Sequence, residues 1–176
     1  IGALFVRDGI PYQPFLMGGS QESDRRAGTE NVPGIVGLGG AIECAYGRFG
    51  EELPRVTVLR DYLERGLLAR IPGSFANGSR EPRIPNTTNI TVPGVEAESF
   101  LVQLSDAGIA ASSGSACSTG ALEPSHVIQA MGYSRELAMS SIRFSLSRNT
   151  SRDEIDKALE LVPPIVARLR ELSQVL

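Results

Sequence analysis

Residues 141–172 constrain the fold more than any other stretch. In SIRFSLSR, 141–148, Ile142, Phe144 and Leu146 alternate with Ser141, Arg143, Ser145 and Ser147, which is the period of a strand with one buried and one polar face. A helix follows at once. SRDE, Ser151 to Glu154, is a capping box, and Ile155, Leu159, Val162, Val166, Leu169 and Leu172 recur on one helical face. A strand that hides one face, joined to a helix with one apolar stripe, is satisfied when the helix packs on the sheet. Pro163-Pro164 is expected to kink or restart that helix.

The preceding segments supply partners. SFANG (74–78) and NTTNITVPG (86–94) read as short strands, and EAESFLVQLSDAG (96–108) as a helix with Phe100, Leu101 and Leu104 on one face and Gly108 as its cap. IAAS (109–112) reads as another strand, and SHVIQAMG (125–132) as a helix that Pro124 starts and Gly132 ends. From residue 72 on, this is an α+β unit: a small antiparallel sheet with helices on one face.

IGALFVRDG (1–9) reads as a buried strand that begins abruptly, which points to a chain cut from something longer. GGSQESDRRAGTEN (18–31) reads as a long loop, and loops of that length favour function over connection. Asn31 is a plausible N-cap, with Pro33 in the first turn and Ile35, Leu38, Ile42 and Ala45 at helical spacing. That helix is expected to weaken near Gly47 and Gly50 and to resume after Pro54 through Leu59, Leu63 and Leu67.

With a formal charge of −3 and its arginines scattered, the chain has no basic stripe for nucleic acid. It has no ~20-residue apolar run and no signal peptide, so a soluble, cytoplasmic protein is expected. Two cysteines, Cys44 and Cys117, without CxxC spacing imply free thiols in a reducing compartment and no structural zinc.

Cys117 stands in SSGSACSTG (112–120), where the neighbours are Ser, Gly, Ala and Thr and nothing bulky can pack over the thiol. An accessible thiol on such a loop suits a nucleophile that must travel, whereas Cys44, on the apolar face of a helix, reads as a buried or incidental small residue. Arg143, on the polar face of its strand, is the residue type for bidentate capture of a carboxylate. Gly28, Thr29 and Asn31 precede a helix start and could contact a phosphate. His126, the single histidine, reads as a structural hydrogen-bonder, and Glu22, Asp24, Glu96 and Glu98 as solvated or capping carboxylates.

Taken together, QESDRRAGTENVPGIVGLG, SSGSACSTGALEPSHV and SIRFSLSRNTSRDEID resemble the class-I, NifS/IscS-like cysteine desulfurases. The resemblance implies an α/β chain of the aspartate-aminotransferase type (fold type I) that works as a homodimer with pyridoxal 5′-phosphate (PLP). The implied reaction takes sulfur from L-cysteine, leaving L-alanine and a persulfide on Cys117 that passes to an iron–sulfur scaffold or another acceptor. Arg143 would hold the substrate carboxylate and Thr29 would reach the PLP phosphate of the neighbouring subunit. No permanent metal is implied, Cys117 being at most a transient iron–sulfur ligand.

By the same resemblance, residues 1–45 would be the C-terminal end of the large PLP-binding domain, 46–71 a connecting helix, and 72–176 the small domain carrying the cysteine loop. Two departures stand out. Ser23-Asp24 replaces the family's usual Arg-Gly after QE, and Lys157, the only lysine, matches no cofactor-anchoring site. The chain therefore resembles a C-terminal portion without the PLP lysine. A PLP-free persulfide carrier and a selenocysteine lyase-like enzyme are the alternatives.

Overall fold

The computed structural model describes residues 1–113 and 123–173. Two compact units, Ile1–Gly50 and Glu51–Leu176, divide the chain.

In the first unit, residues 1–19 form neither helix nor strand. The buried strand expected at 1–9 is absent, and Leu4 and Phe5 are 73% and 88% exposed. An apolar run becomes a strand only when neighbours take up its N–H and C=O groups, and among the described residues no strand pairs with it. The loop expected at 18–31 contains a small hairpin, β1 (Ser20–Gln21) antiparallel to β2 (Arg26–Ala27). Its turn holds Glu22, Ser23 and Asp24 at φ of 52°, 59° and 65°, and the Ser20 hydroxyl donates to the Asp24 carboxylate across it.

Helix α1 (Val32–Arg70) is continuous over 39 residues, so the weakening expected at Gly47 and Gly50 and the restart after Pro54 do not occur. An interior glycine lowers helix propensity by ~1 kcal/mol without forbidding the conformation, and a helix already formed on both sides loses more by breaking. Asn31 caps the start, its Oδ1 accepting from the Gly34 N–H at 3.1 Å.

The second unit is built on a four-stranded antiparallel sheet in the order β3-β4-β6-β5. Its strands are β3 (Phe75–Ala76), β4 (Thr87–Thr91), β5 (Ser112–Ser113) and β6 (Ser141–Ser145). The strand expected at 109–112 is thus shorter and lies later. Residues directly opposite in register share a face, so Ile90 and Ile142, with Thr88 and Phe144, form the buried face. Against it pack Leu59, Leu63 and Leu67 of α1, Phe100 and Leu104 of α2 (Ala97–Asp106), and Ile155, Leu159, Val162 and Val166 of α5 (Arg152–Ser173).

The capping box forms as read. The Ser151 N–H donates to Glu154 Oε2 at 2.7 Å and the Glu154 N–H to Ser151 Oγ at 3.2 Å. Of the kink or restart expected at Pro163-Pro164, the restart does not occur, since both lie inside α5. Pro163 has no N–H for the Leu159 carbonyl, and Arg70 Nη1 donates to that carbonyl at 3.4 Å instead.

Two short helices precede β6: α3 (His126–Ala130), capped by Ser125 rather than started by Pro124, and α4 (Arg135–Met139), which the sequence pattern did not reveal. They modify the expectation of helices on one face only. Tyr133 stacks on Phe75 with ring centroids 5.4 Å apart, and Ser141 Oγ donates to the Leu137 carbonyl at 3.0 Å. Phe75 and Ser141 belong to the polar face, so this segment covers one end of it.

Candidate active site

The polar face of the sheet carries a row of side chains running across the strands. Arg143 on β6 stands opposite Asn89 on β4 and Ser112 on β5, and Asn77, just beyond β3, donates its N–H to the Asn89 carbonyl at 2.8 Å. Arg143 is exposed, and its Nη2 reaches Ser112 Oγ at a long 3.3 Å. Among the described residues no carboxylate pairs with it. A guanidinium offers five donors, so most of its capacity faces solvent between two uncharged neighbours, an arrangement suited to an incoming carboxylate.

Other arginines of this unit are committed elsewhere. Arg60 is 5% exposed, donating through Nη1 to the Ile84 carbonyl at 2.7 Å and through Nη2 to Asp61 at 2.6 Å. Arg83 pairs with Glu64 at 2.9 Å, and the Thr88 hydroxyl donates to the same Glu64 oxygen at 2.5 Å. Burial opposes the Glu64 charge, but the Thr88 and Arg83 hydrogen bonds and the Arg83 and Arg60 charges together outweigh it, holding the carboxyl below its ordinary value.

The row continues into a buried network at the Asn77 end. Asn77 Nδ2 donates to Asn89 Oδ1 at 2.6 Å and to Thr91 Oγ1 at 2.8 Å, and Thr91 Oγ1 lies 2.8 Å from Ser141 Oγ. Asn77 Oδ1 is buried without a partner. Neither asparagine is distinguished by residue type or motif. Their only sequence signal is the period of two that places Asn89 on the same polar face as Thr87, Thr91 and Arg143.

Cys117 lies outside the described residues. In the sequence it follows Ser113, the last residue of β5, by four positions. His126 is exposed at the first position of α3. Cys44, read as a buried or incidental residue, is exposed on α1. The apolar face assigned to it finds no covering among the described residues, where Ile35 is 44% and Ile42 48% exposed. Among the described residues no cluster of three or more His, Cys, Asp or Glu side chains could hold a metal ion.

Thr29 is exposed just ahead of α1, after Gly28 at φ +87°, and Arg26 Nη1 donates to the Gly28 carbonyl at 2.6 Å. Glu22 and Asp24 occupy the exposed hairpin turn, and Glu96 caps α2 without a side-chain hydrogen bond, with Glu98 in its first turn.

The model of the aminotransferase class-V family matches residues 1–158. This chain belongs to that family. A cysteine desulfurase of Gluconacetobacter diazotrophicus is 51% identical over 173 residues, and the cysteine desulfurase NifS of Azotobacter vinelandii is 50% identical; each match covers 98% of this chain. Among solved structures, a NifS-like protein from Rickettsia africae superposes with a TM-score of 0.76 at 33% identity, covering 88% of this chain and 40% of that one. Another NifS-like protein superposes at 0.73 and 30% identity, covering 98% and 42%. The α/β fold is therefore that of the class-V aminotransferases. The chain spans about 43% of the length of the curated relatives it matches.

The class-V family implies dependence on PLP, and the residues present fit that cofactor only in part. An exposed threonine at a helix start suits a phosphate, and Arg143 suits the carboxylate of an amino-acid substrate. The amine does not fit. Lys157 is on α5, which covers the apolar face of the sheet, and it lines a cavity of about 530 Å³ with Leu63, Ile109 and Phe144. Arg143 is on the opposite face, so one ligand cannot engage both.

Proposed function

We propose that this chain carries the substrate-carboxylate and sulfur-accepting parts of a cysteine desulfurase acting on L-cysteine. The observation that carries the reading is the β5–β6 pairing. It sets exposed Arg143 opposite Ser112 of β5, the strand that ends four residues before Cys117 in the sequence, so the guanidinium for the carboxylate stands next to the strand from which the chain runs on to the thiol for the sulfur. In this reading the Cys117 thiolate attacks the substrate sulfur. An S–S bond forms as the substrate C–S bond breaks, the electron pair stays with the substrate carbon, and that carbon takes up a proton to leave L-alanine. The persulfide then passes to an iron–sulfur scaffold or another acceptor protein.

Thr29 is assigned to the PLP phosphate of a partner subunit in a homodimer, and the anchoring amine to a segment outside these 176 residues. Residues 1–45 then belong to the cofactor-binding domain, 46–71 form the connecting helix, and 72–176 form the small domain. Exposed Phe5, Phe15 and Met17, at 88%, 96% and 80%, support the view that further polypeptide covers the first unit, because apolar exposure of this extent marks interaction surfaces. Among the described residues no helix is long and apolar enough to cross a membrane, and a cytoplasmic enzyme is proposed.

The test is Cys117→Ala in the intact, PLP-loaded enzyme. Alanine and sulfide release should fall below a hundredth of the parent rate while cofactor absorbance is retained. Undiminished desulfuration would remove Cys117 from the chemistry.

A further inference from the structure

The hydrogen-bond network beside Arg143 has a fixed direction. Ser141 Oγ donates to the Leu137 carbonyl at 3.0 Å, a pure acceptor, so the Ser141 proton is spent there. Thr91 Oγ1, 2.8 Å from Ser141 Oγ, must then donate to it and can only accept from Asn77. Asn77 therefore turns its N–H₂ inward, to Thr91 at 2.8 Å and to Asn89 Oδ1 at 2.6 Å. The cost is visible: Asn77 Oδ1 is left buried and unpartnered, on a residue 9% exposed, where an unsatisfied acceptor is costly. With Oδ1 of Asn89 held toward Asn77, its Nδ2 falls on the other side of the amide, the side of its register partner Arg143.

We propose that Asn89 Nδ2 and the Arg143 guanidinium form a paired donor site for the substrate α-carboxylate, with Asn77 as the positioning residue that keeps the Asn89 acceptor away from Arg143. The inference rests on the reading of Arg143 as the carboxylate holder. Were Asn89 reversed, its Oδ1 would accept from the guanidinium and compete with the substrate. The network anchored at Leu137 prevents that reversal, and it gives the orphaned Asn77 oxygen a function.

The experiment uses the intact, PLP-loaded enzyme containing this chain, with Asn89→Leu, Asn89→Asp, Asn77→Ser and Arg143→Gln variants. Three quantities are measured: KM and kcat for L-cysteine, the dissociation constant of L-alanine, and that of cysteamine, which lacks the carboxylate. Losing one hydrogen bond to a charged group corresponds to a change of about tenfold. Asn89→Leu should raise KM for L-cysteine and the L-alanine dissociation constant by about that factor, with kcat within about twofold and cysteamine binding unchanged. Asn89→Asp, which pairs its carboxylate with Arg143, should raise both further.

Should Arg143→Gln weaken L-alanine while both Asn89 variants leave it within twofold, the paired site is overturned and the Arg143 reading stands. Equal weakening of cysteamine and L-alanine by Asn89→Leu would show a structural role and also overturn it. Unchanged L-alanine binding in Arg143→Gln would overturn both readings. If Asn77→Ser fails to fold, the Asn89 variants decide alone.

Discussion

At the scale of single residues, the arginines divide by what their guanidinium groups hold. Arg55 donates to the Thr150 carbonyl at 2.9 Å and to the Arg148 carbonyl, and Arg170 to the carbonyls of Pro93 and Pro72 at 3.1 and 2.9 Å. These side chains tie helices α1 and α5 to loops whose carbonyls lack strand or helix partners. Arg143 holds one serine hydroxyl at long range. Sequence spacing marked Arg143 because it lies in a period-two strand, but the commitments of the others depend on loops that only folding brings near. Glu64 gives a prediction at this scale. Its carboxyl is held below its ordinary value in the fold, so the stabilisation is present above the unfolded carboxylate pKa and is lost as pH falls through the folded value. Glu64→Gln should cost ~1–3 kcal/mol near pH 7. Denaturant titrations at pH 7 and pH 3 should show a smaller acid-induced loss in the variant than in the parent, and an equal loss would exclude Glu64 as an acid-labile contributor.

Among elements, those whose signals are local were legible. The capping box at Ser151 and Glu154 formed with both reciprocal bonds, because its partners lie within one turn. Helix α5 runs through Pro163-Pro164 without a restart, and the Leu159 carbonyl that Pro163 cannot serve accepts from Arg70 of another helix. Helix α4 is only five residues long, too short to show a helical period, and β5 is two residues whose position depends on pairing with β6. Helices α1 and α5 meet closely at Gly66. A Cβ there would lie 2.6 Å from both Leu159 Cδ atoms, and Leu159 is 2% exposed. Gly66→Val should therefore destabilise the protein by ~1–3 kcal/mol through overpacking, despite valine's better helix propensity. Chemical denaturation should show that loss, and Leu159→Ala in the Gly66→Val background should cost less than Leu159→Ala alone. Strict additivity would refute the contact.

At the scale of the whole molecule, the two units differ in how they are held. Helix α1 buries Val56, Leu59, Leu63 and Leu67 only beyond Gly50, and residues 1–50 have no buried position. Opening free energy follows buried apolar contact, so limited proteolysis of this chain should cut within residues 1–50 first and leave a resistant fragment beginning near Glu51. Mass spectrometry of the early digest would show this, and first cuts inside 87–106 would contradict it.

What the sequence by itself determined were the local features: the period of β6, the caps of α1 and α5, the glycine-terminated α2 and the family motifs around Thr29, Cys117 and Arg143. All are written within a turn or two of chain, where sterics and local hydrogen bonds act without help. Only the tertiary structure decided that the apolar run at 1–9 is not a strand, that α1 and α5 pass through their prolines, that Lys157 and Arg143 lie on opposite faces, and that Asn77 orients Asn89. Those outcomes depend on which backbone groups and side chains from distant segments meet, and a buried donor or acceptor takes its direction from partners that no local pattern names.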